Sequence, residues 1–328
     1  MRVLVTGGSG FIGSHVVDRL RAQGHVPVIF DLVESPYHAP GEIETVIGDL
    51  EDYESVRAGV AGCDMVAHLA AVSDVNIVVD NPAKASSINV GGTAAVLEAA
   101  RSEGVRRVVY ASTVWVYGGA EGVEPLDEDT QLAIPDHLYT ATKLTGEMYC
   151  RSYAALYGLE YTVLRFGIPY GPHSRPATVL AAFVEKARGG HPLTLAGDGS
   201  QTRQFVYVED LAAGVVAALA PEAANRTYNL VGDESVTIRE IAEAVQELVA
   251  PVDIVYMDSR PSDLRPVAIS GARAAAELGW SATTTFAEGV RRYVESVLAP
   301  TNGTSSSSTA ASTSGSAPTV LRQEPSEL

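Results

Sequence analysis

The chain has 328 residues, 46% of them hydrophobic, and its 40 acidic against 23 basic side chains give a formal net charge of -17. That length can bury one large α/β core or two smaller ones, and the acidity excludes a nucleic-acid partner, which needs clustered Lys and Arg to displace counterions. A small phosphorylated ligand stays open, because a few backbone N–H groups and one or two arginines suffice to hold it.

In chain order, short apolar runs alternate with helical patterns, which is the signature of βαβ units around a parallel sheet. Strands are expected at Arg2–Thr6, Val26–Asp31, Glu44–Ile47, Asp64–Leu69, Val105–Ser112 and Tyr161–Phe166. Helices are expected at Phe11–Gln23, Asn89–Glu103 and Leu138–Tyr157. In the second of these, Val90, Ala94, Leu97 and Ala100 fall on one face, and Gly104 supplies a stop. After Phe166 the punctuation by Gly171-Pro172, Gly189-Gly190, Gly197-Asp198-Gly199 and Pro261 predicts a smaller, looser lobe, closed by a helix over Phe286–Leu298. The expected fold is α/β: a Rossmann-type doubly wound parallel sheet over 1–168, and a substrate-binding lobe over 169–300 that returns in part to the sheet. The Ser/Thr-rich segment 301–328 has too little apolar surface to offset its ordering entropy and is expected to be disordered.

Cys63 and Cys150 lie far apart and outside any CxxC pattern, so neither a metal site nor a disulfide framework is expected. With no signal-like start and no apolar run of about 18 residues, the expectation is a cytoplasmic protein that spans no membrane.

The first strand runs directly into Thr6-Gly7-Gly8-Ser9-Gly10-Phe11-Ile12-Gly13. Gly7, Gly10 and Gly13 are spaced G-x-x-G-x-x-G, which suits a tight turn, close approach of backbone to a pyrophosphate, and close packing of helix on strand. The pyrophosphate would rest on the N-terminus of the following helix. Asp31 ends the second strand where an acid accepts hydrogen bonds from the adenosine ribose. Leu32 and Val33 supply no arginine for a 2′-phosphate, which favours NAD over NADP. Asp49 suits either the adenine amino group or the cap of the next helix.

Tyr139 and Lys143 stand four residues apart and share a helix face. A free tyrosine has a pKa near 10. A neighbouring ammonium and a cationic nicotinamide ring would together favour its phenolate and make it a usable base.

These motifs form a set with Ser112-Thr113 before Val116-Tyr117-Gly118, and with Asp80-Asn81-Pro82 leading to Asn89-Val90-Gly91-Gly92-Thr93. As a set they resemble the extended short-chain dehydrogenase/reductases, within them the NAD-dependent nucleotide-sugar epimerase/dehydratase group, over about Met1 to Leu298. The resemblance implies Tyr139 as general base, Lys143 as holder of the nicotinamide ribose, and Thr113 as hydrogen-bond partner of the reacting hydroxyl. It adds Phe11, Ile12, Leu50, Leu69, Ala70, Ala71 and Asn89 to the cofactor contacts, with His68 passing beside them as a packed strand residue. On the substrate side it implies Arg203 at the sugar diphosphate, Arg260 and Asp263 at phosphate and nucleoside ribose, and a homodimer built on two helices per subunit.

Two departures narrow the reaction. Sugar dehydratases of this group carry acidic residues after the catalytic Thr, and decarboxylases a Glu at the second position; here Val114 and Trp115 stand there. Ile168 replaces a frequent Asn, and Gly171-Pro172-His173-Ser174-Arg175-Pro176 resembles a stretch of uronic-acid 4-epimerases in which an arginine meets the sugar carboxylate. The implied activity is 4-epimerisation of a UDP-sugar: Tyr139 takes the 4-hydroxyl proton, C4 gives a hydride to NAD, and the 4-keto sugar turns before the hydride returns. UDP-glucose/UDP-galactose is the first expectation and UDP-glucuronate/UDP-galacturonate the second. A net reductase or dehydrogenase and a non-catalytic NAD-binding protein are the remaining alternatives.

Overall fold

The computed structural model describes residues 1–122, 125–258 and 267–299. Arg260, Asp263 and the segment 301–328 lie outside the described residues. The first half runs β1 (Arg2–Thr6), α1 (Phe11–Ala22), β2 (Val26–Asp31), β3 (Glu44–Ile47), α2 (Tyr53–Val60), β4 (Met65–His68), α3 (Val75–Asp80), α4 (Pro82–Ser86), α5 (Gly92–Ser102), β5 (Arg107–Thr113), α6 (Leu138–Tyr157) and β6 (Glu160–Phe166). Then follow β7 (Ile168–Tyr170), α7 (Val179–Arg188), β8 (Leu193–Ala196), β9 (Thr202–Tyr207), α8 (Val208–Ala217), β10 (Arg226–Leu230), β11 (Ser235–Thr237), α9 (Ile238–Leu248), β12 (Ile254–Met257), α10 (Ala272–Leu278) and α11 (Phe286–Leu298).

Seven strands pair in parallel in the order β10-β6-β5-β4-β1-β2-β3. The chain winds outward through β2 and β3, then returns to place β4 on the other side of β1. The ends of β1 and β4 therefore form a switch point, where open α/β sheets leave a crevice. Helices on both faces explain why β4 and β5 are buried along their whole length. Alternation sorts β1 accordingly: Val3 and Val5 pack with Val16 of α1 and Leu211 of α8, whereas Leu4 packs with Val56 of α2, Leu97 of α5 and Cys150 of α6. A three-stranded sheet β11-β9-β7 and a parallel pair β12-β8 complete the strands. No helix among the described residues is long and apolar enough to cross a membrane.

Two expectations shift in detail. The helix expected at Asn89–Glu103 is a single wide π turn, Ser87–Gly91, running into α5. That turn holds Asn89 inward, where its amide receives the Val72 N–H at 2.8 Å and donates to the Val72 carbonyl at 3.0 Å. The stretch after Phe166, expected to be looser, is densely structured. Its core gathers Phe183 and Val184 of α7, Ile241 and Val245 of α9, and Val290 of α11.

Beneath the strand ends lies a buried ion pair. Glu147 on α6 receives two hydrogen bonds from the Arg165 guanidinium, at 3.0 and 2.8 Å, and one from the Ser112 hydroxyl at 2.6 Å. Arg165 also donates to Tyr117 at 2.8 Å, and Tyr117 to Asn229 on β10 at 2.9 Å. With both ionic side chains at 2% exposure or less, removing one strands the other in a medium that cannot solvate it. Replacing Glu147 by Ala is expected to lower stability by about 3 to 5 kcal/mol, read from the urea midpoint, and pairing Glu147→Leu with Arg165→Met to recover most of the loss.

Candidate active site

The turn after β1 is shaped by what its glycines lack. Gly7 adopts φ 74°, in the left-handed region where a side chain is strained. A Cβ on Gly13 would stand 2.1 Å from the Gly7 carbonyl oxygen, so α1 can approach this closely only without one. Gly10 caps α1 with no side-chain hydrogen bond, and the first-turn N–H groups of Phe11, Ile12 and Gly13 have no partner within the helix. All three residues line a cavity of about 940 Å³. A bare, positive helix end facing such a cavity is an anion seat, and it fits the diphosphate of a dinucleotide.

Asp31 lines the same cavity; its oxygens accept from the Ser9 N–H at 3.0 Å and the Leu32 N–H at 2.7 Å. Each carboxylate oxygen keeps a lone pair for a ribose hydroxyl. Asp49 and Leu50 also line it. The helix-cap alternative for Asp49 is not realised, because Asp52 caps α2 by accepting from the Glu54 N–H at 3.2 Å, while Asp49 accepts from the Glu51 N–H. Leu69, Ala70 and Ala71 form the wall after β4.

That wall is fixed by His68. The Thr93 hydroxyl donates to the Asn89 carbonyl at 2.6 Å, so towards His68 Nε2, 3.0 Å away, it can only accept; the imidazole carries its proton on Nε2. Nδ1 then accepts from the Thr6 hydroxyl at 2.8 Å, and the Thr6 oxygen accepts the Leu69 and Ala70 N–H groups. Burial lowers the His68 pKa to about 3, which keeps the ring neutral and this arrangement intact.

At the other end of the cavity stand Ser112, Thr113, Trp115 and Tyr139. Thr113 caps a single 3-10 turn, its hydroxyl accepting from the Trp115 N–H at 3.2 Å. The Trp115 ring meets Tyr139 edge-on, with centroids 6.1 Å apart. Burial pushes the Tyr139 phenol up to about 12, opposed by the charge of Arg175. Burial also pulls Lys143 down to about 8. The Lys143 ammonium donates to the Ala111 carbonyl at 2.9 Å and lies 5.3 Å from the centre of the Tyr110 ring.

Ile168 and Arg175 line the cavity as well. Lys143 and Asn89 stand behind its wall. Arg203, on β9, donates to the Thr202 carbonyl at 2.8 Å and is not among the lining residues; Arg260 and Asp263 lie outside the described residues. The sequence singled out Trp115 only as a departure, and it missed Ser112, Tyr37 and His173 as cavity residues. Ser112 precedes Thr113 on a strand end and could have been found there. Tyr37 and His173 carry no local signal, because only the tertiary fold brings their loops together.

Residues 3–231 match the profile of the NAD dependent epimerase/dehydratase family. A UDP-glucose 4-epimerase of Mycolicibacterium smegmatis is 34% identical over 312 residues, covering 90% of this chain and 98% of its own. A probable UDP-glucuronate 4-epimerase of Rhizobium meliloti is 31% identical, covering 90% and 96%. The structure of a Thermotoga maritima UDP-glucose 4-epimerase with UDP-glucose superposes with a TM-score of 0.85 at 31% identity, covering 90% and 98%.

Two outcomes are expected of the site. Gly13→Ala forces α1 away from Gly7 and should weaken NAD binding about a hundredfold by calorimetry, with the fold retained by circular dichroism. A wild-type minus Tyr139→Phe ultraviolet difference spectrum should show no phenolate at pH 9 in the free protein, because burial raises that pKa, and should show it once NAD is added.

Proposed function

The chain belongs to the NAD-dependent epimerase/dehydratase family, and from that premise we propose that it inverts C4 of a UDP-sugar, with UDP-glucose and UDP-galactose as the pair. One observation carries the reading. Thr113 and Tyr139 open onto the same cavity as the bare end of α1, and the carboxylates among the lining residues are Asp31, at the end of β2, and Asp49, after β3. No acid stands at Val114 or Trp115, where loss of water from the sugar would need one.

When held at Asp31 and at the helix end formed by Phe11, Ile12 and Gly13, NAD would supply the hydride acceptor and donor for C4. The protein's own part is proton handling and orientation. Tyr139 takes the proton from the 4-hydroxyl and later gives it back, with Thr113 fixing the direction of that hydroxyl. Lys143, held by the Ala111 carbonyl, brings a donor group to the nicotinamide side of the site. Residues 169–300 supply the substrate side in this reading, with Arg203, Arg260 and Asp263 at the nucleotide. The exposed Met148, Tyr149, Leu156 and Tyr157 on α6 suit a homodimer formed through that helix.

A second reading rests on Arg175. It lines the cavity, its charge acts on Tyr139, and a guanidinium there suits the carboxylate of a uronic acid. The relative from Rhizobium meliloti carries that specificity in its name.

Incubation with UDP-glucose and, separately, UDP-glucuronate, followed by proton NMR, should give UDP-galactose from the first. Absence of C4 inversion with any UDP-sugar would overturn the proposal. Tyr139→Phe is expected to lower kcat about a hundredfold or more. Arg175→Ala should leave hexose turnover within about threefold of wild type; a loss of about a hundredfold confined to the uronate would move the assignment to the second reading.

A further inference from the structure

Beside the cofactor helix, two loops from distant parts of the chain meet ring to ring. Tyr37, in the segment between β2 and β3, stacks on His173, in the segment after β7, with centroids 3.6 Å apart and planes 10° from parallel. His15 of α1 stacks on the other side of His173 at 4.6 Å, making a three-ring pile. Polar contacts seat it: His173 Nδ1 lies 2.9 Å from the Ser14 hydroxyl, and His15 Nε2 lies 3.0 Å from the Pro172 carbonyl oxygen. The Tyr37 segment is separately tied to the start and side of α1. The Ser9 hydroxyl donates to the Val33 carbonyl at 2.8 Å, His38 meets Asp18 at 3.2 Å, and Arg21 pairs with Glu42 at 2.6 Å.

Both Tyr37 and His173 line the cavity, together with Gly10, Phe11 and Asp31. His173 holds φ 67°, a conformation strained for a non-glycine residue, which persists only where surrounding contacts enforce it. Here the enforcing contacts are the two ring stacks and the serine hydroxyl. Neither ring has a place in the proton transfer at Tyr139.

We infer that the Tyr37–His173 pair is a clasp across the cofactor half of the cavity, which must open before NAD can leave, and which fixes the loop carrying Arg175 to the cofactor helix. Tyr37 and His173 are thus positioning residues for cofactor retention. An enzyme that takes hydrogen from a substrate and returns it to the same molecule gains from a cofactor that stays in place between the two steps. The inference rests on the NAD site and not on which sugar is used.

Holoenzyme loaded with the fluorescent etheno analogue of NAD and chased with excess unlabelled NAD reads the exchange rate directly. Tyr37→Ala and His173→Gly should each speed exchange about tenfold, which is about 1.4 kcal/mol. Tyr37→Phe keeps the stack and should exchange at the wild-type rate. Glycine suits φ 67°, so His173→Gly removes the ring without straining the backbone, and its melting temperature without NAD should match or exceed wild type. Exchange within about twofold of wild type in both ring-removing variants, while they still bind NAD, overturns the clasp. Failure of the wild-type protein to bind NAD would overturn the cofactor site itself, and the clasp with it.

Discussion

Everything functional in this molecule depends on one close approach, that of α1 to the turn after β1. The separation leaves no room for a Cβ at Gly13, which would stand 2.1 Å from the Gly7 carbonyl oxygen. That contact aims the free N–H groups of the first helical turn at the crevice between β1 and β4, where the strand order reverses. The opposite wall is brought to matching position by Thr6 and His68, whose side chains join the ends of these two strands. A neutral imidazole serves here because Nδ1 must accept from the Thr6 hydroxyl while Nε2–H donates to Thr93.

The reactive end is held by a different device. Ser112 lines the cavity and donates to Glu147, which grips Arg165, which donates to Tyr117, which reaches Asn229. The network joins β5, α6, β6 and β10 under the segment that carries Thr113, and α6 is the helix that carries Tyr139 and Lys143. Rigid support of this kind lets a site hold a tyrosine whose burial opposes its own ionisation. In the proposed reaction, positive charge arriving with the cofactor would favour the phenolate and so tie proton removal to cofactor occupancy.

The parallel sheet was legible because its central strands are continuous apolar runs and its crossovers are amphipathic helices of ordinary length. The glycine turn, Asp31 and Tyr139 were legible as cavity-lining candidates because turn and helix spacing act at short sequence separation, whereas Lys143, singled out with them, is not among the lining residues. The densely packed stretch after Phe166 was read as loose because its many short strands and turns hide the packing of Phe183, Ile241 and Val290 into one core. The arrival of Arg175 in the cavity that Tyr139 lines, and the stacking of Tyr37 on His173, were invisible for the same reason. Each joins segments more than thirty residues apart, and sequence carries spacing but not the meeting of distant loops.

The proposed reaction requires that hydrogen leave C4 and return to C4 of the same sugar. UDP-glucose deuterated at C4 tests it most directly. C4 inversion as proposed gives UDP-galactose with the deuterium kept at C4 and no net formation of NADH. Deuterium appearing at C6, in solvent or on released NADH would contradict it.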